Sequence, residues 1–139
     1  MKKIQYFLIT KSVGLYINLI SYFLPEKAKQ IAYEIFSQPR KGKIKNGKLP
    51  KTLQNAKQET LHYDGEDFQT YIWQGSEDII LLLHGWESNA ARWYKLIPIL
   101  EKSGCTIVAI DAPAHGLSGS KWFNVGKYSE FLKTIFVDK

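Results

Sequence analysis

Apolar residues run almost unbroken from position 4 to position 24 and stop at Pro25. That length approaches the roughly 20 residues of a membrane span, but Lys11, Asn18 and Ser21 interrupt it. On a helix turning about 100° per residue, Thr10, Lys11, Asn18 and Ser21 cluster into one polar stripe. Such a stripe suits a helix lying in a membrane interface, or packed on the protein with a single wet face, better than a true span. The residues before Pro25 offer no small-residue cleavage site, which counts against a signal peptide. If the segment spans, the lysines after it place the rest of the chain in the cytoplasm. Residues 26–37 predict a second helix with Ile31, Ile35 and Phe36 on one side, stopped by Pro39. Residues 40–51 hold Gly42, Gly47, Pro50 and six basic residues with no apolar period, and predict an exposed linker.

From residue 58 the period changes from helix-like to alternating. Residues 60–63 and 68–73 alternate around Asp64-Gly65, a hairpin turn signal. Residues 75–78 predict another turn. The run 79–83 has no polar alternation, as expected of a strand covered on both faces. Residues 90–102 predict a helix with Trp93, Leu96, Ile97 and Leu100 inward, bent by Pro98 and ended by Ser103-Gly104. A second buried strand at 106–110 and a helix at 125–137 complete the order. Buried strands separated by helices predict an α/β fold with parallel, doubly covered strands. The organisation expected is an apolar helical extension over 1–52 and an α/β unit over 53–139.

Composition narrows the classes. A chain of 139 residues, 45% hydrophobic and 14% aromatic, holds one packed domain. The lone Cys105 excludes an intramolecular disulfide and fits a reducing compartment such as the cytoplasm. Three histidines and one cysteine stand far apart, with no CxxC and no HExxH, so neither a metal nor another cofactor is expected. The net charge of +6 is uneven: residues 1–58 carry 12 basic residues against 2 acids, and residues 59–139 carry 7 against 11. A basic stretch beside an apolar one points to an anionic membrane surface. Nucleic acid is disfavoured, because no stacking aromatics interleave the lysines.

Two loops follow the buried strands directly, where open α/β sheets bind their ligands. The first is His84-Gly85-Trp86-Glu87-Ser88-Asn89, whose glycine suits a tight turn with the next amides facing the crevice. The second is Asp111-Ala112-Pro113-Ala114-His115-Gly116-Leu117-Ser118-Gly119. A hydrophobic strand ending in His-Gly, a helix, and a strand ending in Asp-x-Pro-x-His-Gly-x-Ser resemble the first half of the α/β-hydrolase fold. The resemblance covers roughly residues 58–139, and the hairpin at Asp64-Gly65 resembles that family's first two strands. It implies acyl hydrolysis of an ester, thioester or amide of a small acyl substrate. It also implies a role for the Trp86 backbone N–H as an oxyanion donor, with His84 and Gly85 shaping the loop. The family pattern often has glycine where this chain has Ala114.

The family's nucleophile lies in a Gly-x-Ser-x-Gly elbow beyond these strands, and no such motif occurs in these residues. Gly116-Leu117-Ser118-Gly119-Ser120 is out of register and on a different loop. The expectation is therefore an N-terminal half-domain, inactive by itself, with residues 79–83 forming an unpaired apolar edge open to self-association. Other residues have plainer readings. His84 orients its loop rather than acting as a base, and His115 caps its turn. His62 is a strand residue, Ser88 and Asn89 cap a helix, Cys105 fills core, and Asp111 bonds the following loop. Trp86 either lines an acyl pocket or packs over the sheet end. The alternative function is a non-catalytic, membrane-associated binding module.

Overall fold

The computed structural model describes residues 3–44 and 49–137, which divide into two compact units, Met1–Ser37 and Gln38–Lys139. The first unit is a pair of helices, α1 (Lys3–Phe23) and α2 (Pro25–Ser37). Pro25 opens α2 because a first-turn residue has no intrahelical use for its N–H. The expected second helix is therefore one residue longer at its start. Among the described residues, no helix is long and apolar enough to cross a membrane. The spanning alternative falls there, since the polar stripe dilutes a segment that is otherwise long enough.

The second unit is built on one sheet. In chain order it contains α3 (Lys51–Gln54), β1 (Lys57–Tyr63), β2 (Glu66–Trp73), β3 (Ser76–Leu83), α4 (Ile97–Leu100), β4 (Cys105–Ile110) and α5 (Val125–Val137). The sheet order is β1-β2-β4-β3, with β3 and β4 parallel and the other pairs antiparallel. The expected hairpin closes at Asp64 and Gly65, both left-handed at φ 50° and 72°, as a two-residue type I′ turn requires.

The period of two in β4 sorts its side chains onto two faces. Ile107 and Ala109 join Tyr71, Trp73, Leu82, Leu53, Ala90 and Ile97 in one core. Val108 and Ile110 join Phe68, Tyr128 and Phe131 from α5 in the other. Phe68 stacks on Phe131 with ring centroids 4.1 Å apart. Both faces of the sheet centre are thus covered, as expected of an α/β layer structure.

Three local expectations change. The stretch expected as one helix over 90–102 is a chain of short turns: a 3₁₀ segment Ala90–Lys95, α4, and a second 3₁₀ segment Glu101–Ser103. Pro98 has no N–H to donate to residue 94, so the α pattern cannot run through it. Residues 76–78, expected in a turn, belong to β3 and form a bulge, since Ser76 pairs Cys105 while Ile79 already pairs Thr106. β3 itself is not covered on both faces. It pairs only with β4 among the described strands, Ile79 and Leu83 are 44% and 38% exposed, and only Leu82 is buried.

The basic linker also differs from expectation. Residues 40–44 are not a free tether but a strap bound to the loops after β3 and β4. Gly42 O accepts from Gly116 N at 2.8 Å and from Asn89 Nδ2 at 3.0 Å, and Ile44 N donates to Gly116 O at 3.0 Å. Gly47 and its flanking lysines lie outside the described residues.

Candidate functional site

The two loops singled out in the sequence meet at the ends of β3 and β4, where parallel pairing puts Leu83 opposite Ile110. His84 therefore emerges beside Asp111, and both are buried. The histidines of the two loops are used symmetrically. His84 Nδ1 lies 2.8 Å from Gly85 O, and its Nε2 accepts the Ala112 N–H at 2.9 Å. His115 Nδ1 lies 2.8 Å from Pro113 O, and its Nε2 accepts the Glu87 N–H at 3.0 Å. Each ring donates to a carbonyl of its own loop and accepts an amide from the other. This assigns both as neutral imidazoles protonated on Nδ1.

Burial pushes both histidines below their ordinary pKa, against the opposing influence of these carbonyls and of Asp111. A neutral ring is what the two amides need, because only an unprotonated Nε2 can accept. His84 Nε2 approaches Asp111 Oδ1 to 4.0 Å, which resembles a catalytic pair but is not one. Its lone pair already holds the Ala112 N–H, so it has no proton to share with the carboxylate.

Asp111 is the fully buried hub of the junction. Its Oδ1 accepts the Ala90 N–H at 2.8 Å, and its Oδ2 accepts the Tyr71 hydroxyl and the Leu117 N–H, both at 2.9 Å. Burial and the Asp111 charge hold the Tyr71 hydroxyl well above its ordinary pKa, so it remains a donor. Ser118 is equally committed, donating to Asp111 O at 2.5 Å and accepting from Gln69 N at 2.9 Å. It is 1% exposed, and so is placed to hold the loop rather than to attack a substrate.

The crowding at this junction explains two glycines. At Gly116, φ 49°, an added Cβ would stand 1.9 Å from the Asp111 carboxylate. At Gly42, φ 95°, it would stand 2.6 Å from both His115 Cδ2 and Ser88 O. Gly85 behaves differently. Its φ is not left-handed and an added Cβ would meet nothing within 4 Å, while the left-handed position of that loop is Glu87 at φ 50°. The tight turn expected at Gly85 is therefore made two residues later. Ala114 occupies φ 64°, the conformation that the glycine of the family pattern would take without strain.

The remaining residues fall as follows. Trp86 is 45% exposed, and its ring packs edge-on against His115 and Phe123 at 5.7 and 5.6 Å. Asn89 caps the 3₁₀ segment through its Oδ1 and the Ala91 N–H at 3.0 Å. His62 lies on the hairpin, 2.5 Å from exposed Asp67 and remote in sequence from the loops. Cys105 opens β4, half-buried. Among the described residues, no group of three His, Cys, Asp or Glu stands together as a metal site.

Sequence reasoning missed the strap. The Arg40 N–H donates to Glu87 Oε1 at 3.0 Å, and Lys43 Nζ donates to Ser118 O. Desolvation lowers the Lys43 pKa, while the charges of Asp111 and Glu66 oppose that. Gly42 among lysines carried no local signal of this, since its partners are 47 or more residues away along the chain.

Comparison with known proteins follows the same geometry. The family model for the alpha/beta hydrolase fold matches residues 78–139. A serine hydrolase-like protein of Dictyostelium discoideum is 34% identical over 86 residues, covering 58% of this chain and 24% of that protein. The chain thus spans about a quarter of that curated relative's length. Among solved structures, an esterase of Pyrococcus furiosus is similar at 25% identity and a TM-score of 0.52, covering 73% of this chain and 41% of the other. A thioesterase domain from the curacin biosynthetic pathway shares the fold at 20% identity and a TM-score of 0.54, over 60% of this chain and 31% of its own. With sheet order, loop positions and these likenesses agreeing, the chain carries a partial α/β-hydrolase fold, and its residues 78–139 match that family's model.

Proposed function

We propose that this chain supplies the oxyanion-stabilising part of an acyl hydrolase that acts on an ester, thioester or amide of a small acyl group. The observation that carries the reading is the mutual clamping of the two loops, His84 on Ala112 N and His115 on Glu87 N. Clamping matters because catalysis by a backbone dipole depends on its being fixed before charge develops. In this reading the Trp86 N–H, between His84-Gly85 and Glu87, donates to the oxygen of the tetrahedral intermediate. One such donor contributes about 3 kcal/mol to the transition state. His84 contributes by holding the loop, not by moving protons.

The nucleophile and its base lie outside these 139 residues in this reading, because both buried histidines and Ser118 are occupied by loop hydrogen bonds. The open edge of β3 would accept the next strand of such an enzyme, or the edge of a second copy. The test is labelling by a fluorophosphonate probe, with p-nitrophenyl acetate hydrolysis measured in parallel. The full product of the reading frame containing these residues should label at a serine outside them, and the 139-residue chain should be neither labelled nor active. Labelling at Ser88 or Ser118 would overturn the assignment, as would a full product inert to both reagents.

A further inference from the structure

α1 exposes a continuous apolar face. At about 100° per residue, Ile4, Leu8, Leu15, Leu19 and Tyr22 fall within an arc of about 60°. They are 72%, 57%, 61%, 54% and 83% exposed. The less exposed residues of α1, namely Thr10, Val13, Gly14, Ile17 and Ile20, lie on the opposite side of the helix. The outward row is therefore not the face that α1 uses for packing. An aligned row of this kind on a soluble surface marks a place where something binds.

Three observations say what covers it. First, the hydroxyl beside the row is satisfied without water: Ser12 Oγ donates to Leu8 O at 2.8 Å. Such back-bonding makes a polar residue tolerable where water is scarce. Secondly, Lys11 borders the row with its ammonium 5.6 Å from the Phe7 ring centroid, and Phe23 and Phe36 project from the helix ends at 84% and 82% exposure. Cations and aromatics flanking an apolar face are the side chains that settle at a lipid headgroup boundary. Thirdly, residues 1–37, the unit that contains α1, carry 5 basic residues and 2 acids. That surplus opposes pairing of two copies of this face and favours an anionic surface.

We propose that α1 lies in the plane of an anionic lipid surface, with Ile4, Leu8, Leu15, Leu19 and Tyr22 among the acyl chains and Lys11 at the lipid phosphates. The proposal is independent of the hydrolase reading, since its test requires no turnover.

The test is sedimentation of the full 139-residue chain with vesicles of phosphatidylcholine, alone or mixed with phosphatidylglycerol. The wild-type chain should pellet with the mixed vesicles, far less with phosphatidylcholine alone, and less as salt rises. Leu15→Glu combined with Leu19→Glu should weaken partition at least about tenfold, the least expected from withholding two leucines from lipid. Ile99→Glu, on an exposed apolar residue of the other unit, should leave partition unchanged. Lys11→Glu combined with Lys27→Glu keeps the apolar row and should weaken binding to the mixed vesicles severalfold. A chain that stays in the supernatant with both vesicles overturns the proposal, as does unchanged binding by either double variant. A wild-type dimer that the leucine variants dissociate, without vesicle binding, would assign the face to self-association instead.

Discussion

The helical pair and the loop junction invert each other's use of chemistry. In α1 and α2, only Ala28 and Ser37 are buried among the described residues, while Tyr22, Phe23 and Phe36 exceed 80% exposure. At the junction, His84, Asp111, His115 and Ser118 are all buried, and each polar group has a partner at hydrogen-bond distance. One region exposes what water rejects; the other buries what water would bind. An apolar face tolerates any apolar neighbour, so the helical pair is suited to a soft, non-directional surface. Hydrogen bonds constrain angle and distance, so the junction has one arrangement and suits a task in which a backbone amide must not move.

The comparison breaks most severely at Asp111. Asp111→Ala leaves the Tyr71 hydroxyl and the Ala90 and Leu117 amides without their acceptor. Each stranded buried donor costs about 1–3 kcal/mol, so a loss on the order of 4 kcal/mol is expected. In a marginally stable domain, that should abolish cooperative urea unfolding. A midpoint within error of wild type would show that the hub is dispensable. Gly42→Ala is the next step down. Its Cβ would meet His115 Cδ2 and Ser88 O at 2.6 Å, and about 2 kcal/mol is expected from strain and displacement of the strap. Hydrogen exchange should quicken at Glu87 and Gly116 ahead of the β-strand amides. Uniform loss across the sheet would mean the strap is merely part of the fold, not a brace on the loops.

These two sites also mark how far sequence reasoning reaches. The hairpin, the parallel pair and α5 are legible because alternating or helical periods act locally, and Asp64-Gly65 encodes its own turn. The meeting of the two loops is legible because both follow buried strands that must pair. The tie between His115 and the Glu87 amide is not, since nothing in either segment specifies the other 28 residues away. Gly42 is the extreme case: among lysines and prolines its composition says linker, and only the folded loops reveal why a side chain is forbidden there. The 3₁₀ turns after Asn89 were hidden for the opposite reason, an apolar period of helical spacing that Pro98 cannot sustain as one helix.

Acid should test the junction more gently. Burial lowers both histidine pKa values, so the unfolded chain binds protons first as pH falls below about 6.5. Stability is fully present above that value and declines through the window down to the lowered folded pKa. The urea midpoint should therefore fall as the pH is taken below about 6.5. His115→Gln keeps an acceptor for the Glu87 amide but cannot titrate, so it should flatten the slope. His115 is surrounded by His84, Asp111, Lys43 and Glu87. A slope unchanged in this variant would assign the acid sensitivity to His84 or to the carboxylates.

The smallest effect belongs to the helical pair, and its smallness is informative. Leu15 is 61% exposed in the row of α1, so Leu15→Gln removes little buried area and substitutes one good helix former for another. Unfolding in the absence of lipid should shift by no more than about 0.5 kcal/mol. The same exchange in Leu82, 7% exposed in the sheet core, would cost several times more, on the order of 3 kcal/mol. Equal sensitivity at the two leucines would mean that Leu15 is covered in solution, by another copy or by more of the same chain. The contrast between a buried polar junction and an exposed apolar helix would then dissolve. A silent Leu15 in solution that becomes costly only when vesicles are present would instead give the row its meaning: an apolar face stable because its partner is supplied from outside the fold.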